Sequence, residues 1–195
     1  MKKIVVNDAN VFIDLFSVGL LEEFFSLPWE VHTTDLVMLE LTKEGQGDTV
    51  GKYRQDGRLH VPTLEGKDMI AIGQLKALHE GKTNVSIADC SVWYYAKQNK
   101  YVLLTGDRKL RKASVLDGVE VHGIIYVFDN LVDTDVITTE VAAIKLRQLA
   151  SINPRLPKHR KNRPFCASLL CSFVLAEIEN SALISRLPIQ TGLLS

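Results

Sequence analysis

Cysteine is scarce: Cys90, Cys166 and Cys171 are the three among 195 residues. They form no CxxC pair and no Cys/His spacing that would hold zinc, and an odd count without an export signal fits a reducing compartment. The expected location is therefore cytoplasmic. An excess of charge is missing too, since Lys plus Arg and Asp plus Glu both total 23. That balance excludes a general polyanion or membrane-surface binder and leaves only local patches. Lys2 and Lys3 are followed by Ile4, Val5 and Val6 alone before Asn7 and Asp8, too few apolar residues for an export leader. The most apolar stretch contains residues 169–176, and Glu177 and Glu179 end it short of the ~20 residues a membrane span needs. No internal repeat is present.

What is present can build a substantial core. With 46% apolar residues, the chain is long enough for one domain, with room for an appendage. Apolar runs that read as short buried strands fall at residues 3–6, 31–33, 59–61, 101–104 and 119–121. Helical spacing is expected over 10–25, 35–44, 67–80, 86–99, 108–115, 124–131 and 138–151, with Pro28, Gly45 and Gly81 as stops. Residues 46–58 are polar, hold three glycines and read as a loop. Strands too apolar to have a wet face, alternating with helices, predict an α/β fold: a three-layer α/β/α sandwich around a mainly parallel sheet.

In such sheets the reactive crevice lies outside the carboxyl ends of the strands. Asp8 directly follows the first strand, and Asp107 follows the strand of Tyr101-Val-Leu-Leu-Thr-Gly-Asp107. Each has an ordinary competing role as a helix N-cap. Asp89 stands three residues after Ser86, the spacing of a capping box. Glu40, inside VMLEL, has apolar neighbours at Val37, Met38, Leu39 and Leu41 and is the acid least well explained as surface.

Taken together, Asp8-Ala9-Asn10-Val11, Glu40 in VMLEL, Asp89 in SIADCSVWYYA and Thr105-Gly106-Asp107 before RKLRK resemble the PIN-domain family of metal-dependent nucleases. The likeness is greatest to the VapC-type toxins of toxin–antitoxin systems. VHGIIYVFDNLV (121–132) and NPRLP (153–157) extend it, so it covers residues 1–157. The resemblance implies that Asp8, Glu40, Asp89 and Asp107 converge in an acidic pocket, supported by Asn10 and Thr105. It implies Mg²⁺- or Mn²⁺-dependent endoribonuclease activity, a homodimer, and a cognate antitoxin protein as inhibitor. Asp14, one turn after Asn10, is read as an ordinary helix residue.

Elementary chemistry points the same way. Oxygen-only ligands favour the hard cations Mg²⁺ and Mn²⁺ over zinc. Two carboxylates ~5 Å apart repel by roughly 3 kcal/mol at an effective dielectric of about 20, so four together need cations or protons. Arg108, Lys109, Arg111 and Lys112 follow Asp107 and are candidate contacts for RNA phosphates, with a solvated helix face as the equal alternative. Trp93, Tyr94 and Tyr95 read mainly as core rather than base-stacking platforms, and Phe12, Phe16, Leu20 and Phe24 read as core by default, with a partner surface as the alternative.

Beyond residue 157 the resemblance stops. Residues 158–195 run from KHRKNRP into a lysine-free, leucine- and serine-rich tail. An altered end from a frameshift or read-through is the expectation, against a genuine partner-binding helix. Two other phosphate-handling classes fit less well. A haloacid-dehalogenase-type phosphatase needs DxDx[TV], where this chain has Asn10 and Phe12, and a receiver domain needs clustered acids near strand one with a later Lys. A PIN-like module that grips RNA or protein without cutting it is the main non-enzyme alternative.

Overall fold

The computed structural model describes residues 2–154 and 156. The chain divides into two units, the first spanning Met1–Ile137 and the second beginning at Thr138. The tail expected from residue 158 onward lies outside the described residues.

In the first unit, β1 (Lys3–Asn7), β2 (Trp29–His32), β3 (Leu59–His60), β4 (Val102–Leu104) and β5 (Val121–His122) form one sheet. Its order is β3-β2-β1-β4-β5, and every pairing is parallel. This is the expected α/β/α sandwich. Val5 and Val6 of β1 and Leu103 and Leu104 of β4 are fully buried, as a sheet covered on both faces requires. Alternation along β2 sends Trp29 to one face and Glu30 and His32 to the other. On the Trp29 face, α1 (Ala9–Val18), α2 (Leu21–Ser26) and α8 (Ile124–Asp133) pack an aromatic chain. In it Phe12 meets Phe24 edge to face, Phe24 meets Trp29, and Trp29 stacks on Tyr126. The other face carries α6 (Ile87–Asn99), whose Tyr95 lies against His32. Trp93 of α6 is fully buried, its indole N–H donating to Asp117, so it is core as expected. Phe12, Leu20 and Phe24 are core as well.

Several element bounds depart from the sequence reading, each for a local reason. The helix expected over 10–25 is two helices, because Gly19 turns left-handed at φ 66° and its N–H and that of Leu20 close on Leu15 and Phe16 carbonyls. The helix expected over 35–44 is only α3 (Asp35–Met38). Glu40 and Leu41 then bond three residues back, to Val37 and Met38, tightening the chain into a turn. Glu40 is thus exposed on a turn rather than inside an apolar helix, a correction to its expected setting. The polar stretch 46–58 is no loop, since α4 (Gln46–Gln55) occupies most of it. Gly45 opens it in the left-handed region at φ 77°, and Asp48 in its first turn and Lys52 and Arg54 in its last complement the helix dipole. It buries only Gln46 and Val50, which left no apolar period to read.

α5 (Gly66–His79) and α7 (Arg108–Leu116) lie close to their expected spans. In the second unit, α9 (Thr139–Ile152) is capped by Thr138, whose hydroxyl accepts from the Val141 amide, and buries Ala142, Leu146 and Leu149.

Candidate functional site at the carboxyl ends of the strands

The chain runs outward from β1 through β2 to β3, then crosses back to place β4 on the other side of β1. The order therefore reverses between β1 and β4. In open parallel sheets that switch point, at the carboxyl ends, is where neighbouring connections diverge and leave a crevice. Asp8 leaves β1 there, its amide extending the ladder to the Leu104 carbonyl at 3.0 Å, and Thr105-Gly106-Asp107 leaves β4.

Asp8 is fully buried. Its side chain makes no capping hydrogen bond to α1, so the N-cap explanation of this residue fails. Instead Oδ2 accepts from Asn10 Nδ2 at 2.9 Å and from the Thr105 hydroxyl at 2.7 Å. The second oxygen, Oδ1, is buried without a hydrogen-bond partner, as are both polar atoms of the Asn7 side chain. Burial raises the Asp8 carboxyl from 3.8 to about 7, and the Asp89 charge adds to the rise. The hydrogen bonds from Asn10 and Thr105 oppose it, with a smaller contribution from the Ala9 amide that falls short of a cap.

Asp107 does cap its helix: Oδ1 accepts from the amides of Lys109 at 2.7 Å and Leu110 at 2.8 Å. Its own amide donates to Thr105 Oγ1 at 3.0 Å. One hydroxyl therefore ties the two strand-end acids together, donating to Asp8 and accepting from Asp107. Asp89 forms the reciprocal capping box, with Ser86 N donating to Oδ2 at 2.6 Å and Asp89 N donating to the Ser86 hydroxyl at 2.9 Å. The Ser86 hydroxyl also reaches Glu40 Oε1 at 3.3 Å. Desolvation raises the Glu40 carboxyl and the Asp89 charge raises it further, against that hydrogen bond.

Asp89 thus stands electrostatically between Asp8 and Glu40, while Thr105 links Asp8 to Asp107. A second hydroxyl pair, Thr34 Oγ1 and Ser91 Oγ at 2.7 Å, joins the start of α3 to α6 and so carries the Glu40 turn to the Asp89 helix. Capping and a role at the rim coexist for Asp89 and Asp107, because each cap engages one oxygen of the pair. Asp14 is buried on α1.

Of the basic residues after Asp107, Arg108, Lys109 and Lys112 are exposed. Arg111 instead turns inward, donating to the Thr105 carbonyl at 2.9 Å and the Val121 carbonyl at 3.3 Å. It braces the strand-end loop. A Cβ on Gly123 would come within 2.6 Å of its Nη2, so glycine there gives the guanidinium its place.

The all-oxygen donor set and the partnerless Asp8 Oδ1 fit a hard divalent cation, since that oxygen is a buried acceptor with no protein donor and the Asp89 charge is felt at the same carboxyl. The acids are spread rather than closed up. Among the described residues, the group of three ligand-type side chains whose atoms lie within 4.8 Å of one another is elsewhere, at Glu30, His32 and His60. Sequence reasoning missed this group, though the alternation Glu30-Val31-His32 on a strand was a legible signal.

A five-stranded all-parallel sheet between helices, with Asp8 and Asp107 leaving the carboxyl ends of its two central neighbouring strands, defines the class as a three-layer α/β sandwich. Within it, the PIN-domain family model matches residues 4–163, and the chain belongs to that family. No curated protein matches the chain. Among solved structures, VapBC2 from Rickettsia felis bound to a DNA fragment from their promoter is similar over 62% of this chain and 98% of that chain, at 14% identity and a TM-score of 0.43. FitAcB from Neisseria gonorrhoeae is similar over 60% of this chain and 95% of that chain, at 15% identity and a TM-score of 0.37.

Proposed function

We propose that the protein is a metal-dependent endoribonuclease that hydrolyses RNA phosphodiesters at the Asp8–Asp107 rim, acting as the toxin of a type II toxin–antitoxin pair. The observation that carries this is Asp8: fully buried, useless as a cap, raised to about 7 and left with one oxygen unpartnered. Burying a carboxylate in this way costs stability, so a fold that retains it has a use for its charge.

Asp8, Asp89, Asp107 and Glu40 would hold Mg²⁺ or Mn²⁺. A bound ion of this kind supplies charge stabilisation at a phosphoryl oxygen and a water of lowered pKa. The chain's own groups do the rest. Asn10 and Thr105 fix the Asp8 carboxylate in one rotamer through its Oδ2. Arg111 holds the backbone of the strand-end loop so that Asp107 stays at the rim. One carboxylate of the rim would also accept the proton of the attacking water. Exposed Arg108, Lys109 and Lys112 would bind RNA phosphates beside it.

A cognate antitoxin and a homodimer complete the proposal. Both rest on membership of the PIN-domain family and on the resemblance of the Asp8, Glu40, Asp89 and Asp107 motifs to VapC-type toxins. No helix among the described residues is long and apolar enough to cross a membrane. The spread of the acidic oxygens favours a second reading, a PIN-like module that binds RNA without cutting it.

Cleavage of an end-labelled structured RNA separates the two. The nuclease reading expects cutting with Mn²⁺ or Mg²⁺ that stops in chelator and in Asp8→Asn and Asp107→Asn. Tight RNA binding with no cutting under any metal establishes the binding module instead, and cutting that survives both substitutions assigns the activity elsewhere.

A further inference from the structure

We propose that Glu30, His32 and His60 form a second cation site, built across β2 and β3, that takes Zn²⁺ or a similar transition-metal ion through two imidazoles and one carboxylate. The inference is independent of the nuclease reading, because none of its three ligands belongs to the acidic rim.

The backbone sets the geometry. Glu30 and His32 are two apart on β2, so their side chains leave the same face. His32 pairs in register with His60 on β3, which puts the second imidazole beside the first on that face. One donor atom from each residue falls within 4.8 Å of the other two. His32 Nε2 lies 2.8 Å from Glu30 Oε1, and the two imidazoles face each other with centroids 4.9 Å apart and planes inclined at 28°. Two residues alternating on one strand and a third on its neighbour place three donors on one side of a common point. Two histidines and a glutamate are a known zinc donor set, and nitrogen donors favour zinc over the magnesium suited to the acidic rim.

The surroundings complete the arrangement. Metal-bound histidine usually donates its second ring N–H to an orienting group. His32 has one, with the Tyr95 hydroxyl 2.9 Å from Nδ1. The ring of Tyr101 tilts against the same imidazole, centroids 5.5 Å apart, and Tyr95 of α6 stacks on it, so His32 sits against two aromatic neighbours. His32 is buried, Glu30 half-buried and His60 exposed, so the group runs from the core to the surface. Glu30 and His60 also line a cavity of about 410 Å³ with Lys2, Trp29 and Arg58, which leaves room for water as a further ligand. A Glu30–His32 ion pair involves two of the residues, and strand register brings His60, exposed on an edge strand, against them as a third donor open to solvent.

An ion here would clip β3 to β2. Isothermal titration of the chelator-stripped full chain with Zn²⁺, repeated with Co²⁺ and followed by visible absorption, tests the site. One Zn²⁺ per chain is expected outside the acidic rim, and the bound Co²⁺ should show strong four- or five-coordinate bands without sulfur charge transfer. His60→Ala, at an exposed position, should weaken this binding at least tenfold while leaving the circular dichroism spectrum unchanged. Tyr95→Phe should weaken it about tenfold through the lost orienting hydroxyl, and Asp8→Asn should leave it unaltered. Zn²⁺ should also raise the melting temperature of the parent and not of His60→Ala. Equal Zn²⁺ affinity in parent and His60→Ala overturns the proposal. So do a Co²⁺ spectrum of weak octahedral bands alone, sulfur charge transfer in the bound Co²⁺, or loss of the binding in Asp8→Asn.

Discussion

Replacing Asp8 by asparagine should stabilise the metal-free protein at high pH, the reverse of what losing a helix cap would do. Burial and the Asp89 charge raise the folded carboxyl from 3.8 to about 7. Between about pH 4 and 7 the folded chain therefore holds a proton that the unfolded chain has released. Stability falls as pH climbs through that window and levels off above it. A shift of about 3 units at about 1.4 kcal/mol each makes the charged carboxylate a burden on the order of 4 kcal/mol at pH 8.

Asparagine removes the charge but keeps an oxygen for the Asn10 and Thr105 donors, now 2.9 and 2.7 Å from Oδ2. Its NH₂ then sits where Oδ1 has no partner, at a cost of about 1–3 kcal/mol. The net gain expected at pH 8 is about 1–3 kcal/mol, or on the order of 3–10 °C in melting temperature. It should vanish or reverse at pH 5, where folded Asp8 is already protonated. Urea denaturation of parent and variant in chelator, at both pH values, measures this. A variant less stable than the parent at pH 8 would refute the reasoning and return Asp8 to a capping role. Millimolar Mg²⁺ should close the gap at pH 8 by stabilising the parent alone.

Other perturbations read the same site from different sides. Thr105→Val deletes the hydroxyl that donates to Asp8 and accepts from Asp107; it should cost about 1–3 kcal/mol in denaturant titration. By removing a hydrogen bond to the charged form, it should also move the Asp8 titration, followed by carboxyl NMR, above its parent value. Gly123→Ala should push Arg111 Nη2 off the Thr105 carbonyl, lowering stability by about 1 kcal/mol in the same titration. Lys109→Ala and Lys112→Ala, both exposed, should leave melting temperature unchanged. Each should reduce the salt slope of RNA binding by about 1, seen in filter binding from low to moderate salt.

Much of this fold was legible because its strands are short, apolar and separated by helical periods. β1 and β4 announced themselves through Ile4-Val5-Val6 and Val102-Leu103-Leu104, and their following acids came with them. What was not legible depended on tertiary context. α4 buries only Gln46 and Val50, so its sequence carries no apolar stripe, and α3 stops at Met38 although Leu39 to Leu41 would continue a helix. Glu40 owes its place near Asp89 to that early stop and to Ser86, which local pattern could not reveal. The capping alternative resolved differently at each acid, against capping at Asp8 and in its favour at Asp89 and Asp107. Histidines on neighbouring strands met through register, and register is written in the sheet rather than in either segment.

The central claim is that the acids at the β1–β4 switch point hold a hard cation for RNA hydrolysis. Anomalous scattering from a crystal of the full chain soaked in Mn²⁺ tests it most directly. The account predicts a manganese peak bonded to Asp8 Oδ1, with Asp89 or Asp107 as a further ligand and distances of about 2.0–2.3 Å, competed away by Mg²⁺. Manganese absent from Asp8, or confined to Glu30, His32 and His60, would contradict it.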